Sequence, residues 1–69
     1  MLPMRYQFII EGELSDRALS AFPELATTRR LPGTTVLFGP VDDSTVLRGM
    51  LSRIDNLGLT LLEMSRLPD

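Results

Sequence analysis

The sequence predicts one small α+β domain over residues 1–69, with elements in the order β-α-β-β-α-β. Three observations predict it. The hydrophobic pattern changes between a period near two and a period near 3.6 along the chain. The changes fall at glycine or proline: Gly12, Pro23, Pro32–Gly33, Gly39–Pro40 and Gly58. The most apolar strand-like runs, "FII" and "VLF", belong to the first and third strands, which this order makes central. Charges and prolines gather in the runs it makes edges.

Each element has a local reason. Arg5 to Glu11 (RYQFIIE) is rich in aromatic and β-branched residues and reads as strand one, with Tyr6, Phe8 and Ile10 sharing one face. Ser15 to Phe22 (SDRALSAF) reads as a short helix capped by Ser15, with Asp16 at the positive end of its dipole and Pro23 as its stop. Its apolar stripe is Leu14, Ala18, Leu19 and Phe22. Leu25 to Leu31 and Thr35 to Gly39 read as a hairpin about "LPGT", where adjacent proline and glycine suit a type II turn. Thr45 to Leu57 is a helix, with Val46, Leu47, Met50, Leu51, Ile54 and Leu57 on one face and Gly58 as its stop. Thr60 to Leu67 is strand four. The expected core is Phe8, Ile10, Val36, Phe38, Leu47, Leu51, Ile54, Leu62 and Met64.

This is the split βαβ order of the ferredoxin-like arrangement, an antiparallel sheet in order 4-1-3-2 with both helices on one face. Ordering a residue costs roughly 1.5 kcal/mol, and the core of so short a chain barely offsets the total. Small domains therefore recruit a disulfide, a metal or a partner. There is no cysteine and no histidine, which removes the disulfide and the commonest metal ligand. Association with another copy remains, so a homodimer or higher homo-oligomer is expected. A net charge of −2 argues against a nucleic-acid partner. No run reaches membrane-spanning length and the start lacks a secretory pattern, so no membrane partner and a cytoplasmic location are expected. All seven basic residues are arginine, which reads as compositional bias.

The chemically suggestive stretches have plain readings. In "LFGPVDDSTVL" a glycine precedes a helix start, where anions bind. Asp42 and Asp43 occupy that place and would repel a phosphate. Asp43 or Ser44 therefore reads as the helix cap, with a divalent-metal site on Asp42 and Asp43 as the weaker alternative. Arg29 and Arg30 point to opposite faces of a strand and read as edge protection. Glu11 and Glu13 read as solvated loop charges. No catalytic set and no cofactor motif is visible, so the chain reads as non-enzymatic.

Over the stretches "YQFIIEGELSDRALSAF" and "VLFGPVDDSTVLRGMLSRIDNLGLTLLEM" the arrangement resembles small ferredoxin-like regulatory modules and, loosely, ACT-like domains. It is also similar to the dimeric α+β barrel group. The resemblance implies pairing through sheets or edges, an effector sensor in the ACT-like case and a cofactor-independent enzyme in the barrel case. With the helices over Tyr6, Phe8 and Ile10, the opposite face is expected to centre on Ile9, Leu37 and Leu61. Arg5, Gln7, Glu11, Thr35, Glu63 and Ser65 would surround them. That patch is the expected site of self-association.

Overall fold

The computed structural model describes residues 4–28 and 32–68. Its elements are β1 (Met4–Glu11), α1 (Asp16–Leu19), β2 (Ala26–Thr28), β3 (Thr34–Val41), α2 (Ser44–Asn56) and β4 (Leu61–Leu67). The strands form one four-stranded sheet in the order β2-β3-β1-β4, which counted from the β4 edge reads 4-1-3-2. Every pairing in it is antiparallel. Buried side chains from β1, β3 and α2, with Leu14 and Phe22 flanking α1, make one cluster, so both helices lie on the same side of the sheet. Its members include Phe8, Ile10, Phe22, Leu37, Val41, Met50 and Ile54.

The helices are closed by local chemistry. Asp43 is the N-cap of α2, its Oδ1 accepting from the Val46 N–H at 2.9 Å. At the other end the Leu59 N–H reaches Ile54 O and the Gly58 N–H reaches Asp55 O. This is the paired closure of a Schellman motif, with Gly58 at φ 71°. Ser15 caps α1 by accepting from Ala18 N–H. The expected helix to Phe22 is cut to four residues. Beyond Leu19 the chain tightens into turns, with Ala21 N–H donating to Ala18 O and Phe22 N–H to Leu19 O. Pro23 follows and cannot continue the ladder.

Two further contacts hold the loops. Thr35 is buried in β3. Its hydroxyl donates to Gly12 O at 2.8 Å and accepts from Leu14 N–H at 3.2 Å, fixing the β1–α1 connection. Arg53, in the last turn of α2, clasps Glu24 with two bonds of 3.0 and 2.7 Å and donates to Ala21 O at 2.8 Å. Its guanidinium also lies 5.7 Å from the centre of the Phe22 ring. The pairing holds the Glu24 carboxyl down to about 2.

The strands differ from expectation in phase. In β3, Leu37 pairs with Phe8 and Phe38 with Gln7, so Leu37 joins the core and Phe38 faces the other way. Val36 is also buried, but on that other face, opposite Ile9. The run "VLF" is apolar at both parities, so alternation alone does not choose between them. Gly39 does choose: it pairs with Tyr6, on the core side, and a Cβ there would stand 3.0 Å from Glu24 O. The inward set of β3 is therefore Thr35, Leu37, Gly39 and Val41. The strand also runs through Pro40 to Val41 instead of ending at Gly39. β2 stops pairing at Phe38, which leaves β3 a free side where a proline is tolerated.

β4 contains an irregularity. Glu63 pairs with Ile9 and Leu61 with Ile10, so Leu62 is the extra residue of a bulge. Leu61 and Met64, three apart, thereby share the core side, and Leu61 packs against the cluster. Leu62 and Met64, expected in the core, are 53% and 40% exposed on this edge strand. Leu47 and Leu51 pack partly buried against the core, which also takes in Met50. Arg29, Arg30 and Leu31, expected to end strand two and open the turn, lie outside the described residues.

Candidate association face

The face of the sheet opposite the helices is built by the alternate residues of each strand. β1 contributes Arg5, Gln7, Ile9 and Glu11; β3 contributes Thr34, Val36, Phe38 and Pro40. β4 adds Glu63, Ser65 and Leu67, and β2 adds Ala26 and Thr28. No helix among the described residues lies on it. An antiparallel sheet with one wet side ordinarily turns polar residues outward. Here Ile9, Val36, Phe38, Pro40 and Leu67 turn outward.

The expected patch of Ile9, Leu37 and Leu61 does not assemble. Ile9 is on the open face, half-buried, but Leu37 is 1% exposed inside the core and Leu61 is on the core side of β4. The β3 phase displaces Leu37 and the β4 bulge displaces Leu61. In their place stand Val36, Phe38 and Leu67. Thr35, expected in the surround, is inside; Arg5, Gln7, Glu11, Glu63 and Ser65 are on the face. Phe38, Gln7, Thr28 and Leu67 line a shallow depression of about 370 Å³ that crosses all four strands. Of these four, only Gln7 and Thr28 carry polar side chains, and none is charged at neutral pH.

Charge is distributed unevenly along this face. Arg5 lies at the end where β1 begins and β4 finishes, paired with Pro40 and Leu67. Glu11 lies at the opposite end of β1, beside Thr34, and Glu63 stands across from Ile9 toward that same end. The face is positive at one end of the strands and negative at the other; between them Ile9, Val36 and Phe38 stand beside Gln7, Ser65 and Thr28.

The aspartates of the β3–α2 junction are elsewhere. Asp43 is engaged as the cap, Ser44 is the first residue of α2, and Asp42 is exposed beside them. Among the described residues no three acidic, histidine or cysteine side chains gather as metal ligands. No helix among them is long and apolar enough to cross a membrane.

A four-stranded antiparallel sheet with two helices on one side places this chain among small α+β domains. The chain belongs to the family described as Domain of unknown function (DUF8691), whose model matches residues 5–65 and so runs from β1 into β4. No curated protein and no solved structure matches it.

Proposed function

We propose that this ferredoxin-like domain is a non-enzymatic association module that pairs with a second copy of itself through the open face of its sheet. The observation that carries the reading is the outward cluster Ile9, Val36 and Phe38 on β1 and β3, with Leu67 beyond Arg5 on β4, on the side where no helix of the described residues lies. Single exposed apolar residues are ordinary, whereas clustered ones are the usual mark of a contact surface. The strands, of 8, 3, 8 and 7 residues, cover about 400 Å² at a spacing of about 4.8 Å, or about 800 Å² for two copies. That is the size of a weak or transient contact.

The β4 edge is a second surface, favoured by the exposure of Leu62 and Met64. It also carries Glu63, Arg66, Pro68 and the bulge, all of which discourage strand-to-strand pairing. The face is therefore the better partner surface. Against an ACT-like sensor stands Thr35, which already occupies Gly12 O and Leu14 N–H in the β1–α1 loop where an effector would dock. Against a barrel-type enzyme stands the depression, whose lining among the described residues offers no acid, base or thiol.

Light scattering and sedimentation test the reading. The wild-type chain should have the mass of a dimer or larger homo-oligomer. Phe38→Asp should give monomer, because the charge would be desolvated at the centre of the contact. Arg48→Ala, on the exposed side of α2, should leave the mass unchanged. A wild-type chain that stays monomeric at millimolar concentration overturns the proposal, as does a folded Phe38→Asp variant of unchanged mass.

A further inference from the structure

We infer that the two copies pair with their β1 strands antiparallel, the two-fold axis crossing the strands at the level of Phe8, so that Arg5 of each copy meets Glu11 of the other. This rests on the face-to-face reading above and adds its orientation.

The argument is the polarity of the face. Arg5 and Glu11 point out from the same side of β1, and Phe8 is midway between them in sequence. Stacking two such faces with β1 parallel would oppose Arg5 to Arg5 and Glu11 to Glu11. Stacking them antiparallel opposes unlike charges at both ends, and symmetry makes the contact twice. Glu63, toward the Glu11 end of the neighbouring strand, adds to the negative end that receives the partner's arginine.

The apolar residues agree with the same operation. Gln7 pairs with Phe38 and Ile9 with Val36, so these two rows lie either side of Phe8. An axis at that level lays the Gln7–Phe38 row of one copy over the Ile9–Val36 row of the other; Val36 is 3% exposed, so the half-buried Phe38 and Ile9 supply the apolar surface. The antiparallel operation thus sets Phe38 and Ile9 of both copies about the axis, besides matching the ends.

The chain has no cysteine, so introduced cysteines report the orientation without background. Arg5→Cys and Glu11→Cys are made separately, purified, mixed and treated with a short bis-maleimide. Opposed Cα atoms of stacked sheets lie about 10 Å apart, too far for a disulfide but within reach of such a reagent. Antiparallel pairing brings position 5 of one copy to position 11 of the other and holds the two copies of position 5 about 20 Å apart. The expected product is the mixed cross-link, with little cross-linking of Arg5→Cys alone and none with Arg48→Cys on α2. Rapid cross-linking of Arg5→Cys to itself overturns the orientation while leaving face-to-face pairing intact.

Charge reversal gives a second readout on exposed positions. Arg5→Glu or Glu11→Arg alone should weaken pairing on the order of tenfold at low salt, an effect that fades as salt screens the pair. The double variant Arg5→Glu with Glu11→Arg should restore it. Parallel pairing predicts no loss in the single variants, so unchanged dissociation constants overturn the inference. A wild-type chain that is monomeric throughout overturns the association reading itself.

Discussion

Val36 and Leu37 are consecutive in β3, 3% and 1% exposed, and face opposite sides of the sheet. Their burial has different sources. Leu37 belongs to the cluster that both helices help to close. Val36 is shielded on the open face, where its neighbours across the strands are Ile9 and Thr28. One strand is therefore apolar on both sides, while the helices among the described residues cover only one. The covered side is finished by the monomer. On the association reading proposed above, the open side is finished by a second copy.

Substitutions on β3 break this comparison most sharply. Leu37→Ala should destabilise the domain by about 2–5 kcal/mol, the usual effect of emptying a core leucine site. That approaches the whole stability of a domain this small, so the variant should be largely unfolded or melt far lower. Phe38→Ala, one residue on, should cost the isolated chain only about 1–2 kcal/mol, because the ring is already partly in water. Its main effect should be weaker self-association. Urea melts at low and high protein concentration separate the two effects. If Phe38→Ala proves as destabilising as Leu37→Ala at low concentration, the contrast between the faces is wrong.

The next effect in size lies in Thr35, the polar residue that β3 places among the core side chains. Thr35→Val keeps the shape but leaves Gly12 O and Leu14 N–H without their partner. A loss of about 1–3 kcal/mol is expected, as for buried groups left unsatisfied. Hydrogen exchange should show the Leu14 amide losing protection while the α2 amides keep theirs. Unchanged exchange at Leu14 would mean that the loop is held by something else.

Much of this architecture is legible in the residues. The element order follows from period changes and from glycine and proline, and Asp43 and Gly58 bracket α2 with ordinary cap chemistry. What is not legible is phase. Alternation assigns a face only where one parity is polar, and "TVLFGPV" is apolar at both. The extra residue at Leu62 then inverts the phase within β4, and no composition signal marks it. Since one step of phase exchanges the two faces of a strand, the face opposite the helices was readable while two of the three residues expected at its centre were not. The length of α1 was hidden for another reason. "SDRALSAF" suits a helix locally, but the chain bends into turns after Leu19 and carries Phe22 into the core.

The smallest expected effect concerns the Arg53–Glu24 clasp, which fastens the covered side and should leave the open side untouched. Nothing in the sequence links Arg53 to Glu24, 29 residues away. The hydrogen bonds and charge of Arg53 hold the Glu24 carboxyl down to about 2 from an ordinary 4.5. A carboxyl lowered on folding stabilises the native state above its unfolded value, and the gain is lost as pH falls through the folded one. The clasp should thus act fully above about pH 5, weaken from there downward and be gone below about pH 2. Its side chains are 36% and 38% exposed, so solvent screening limits the gain to about 1 kcal/mol despite the two-pronged geometry. Glu24→Gln should therefore lower the urea midpoint at pH 7 by a small amount, and the gap to wild type should close as pH falls toward 2. Its mass in solution at pH 7 should equal that of wild type, because Glu24 lies in the loop that packs on Gly39 from the helix side. A gap independent of pH would assign the effect to side-chain packing, and a change in mass would mean that the two sides of the sheet are coupled.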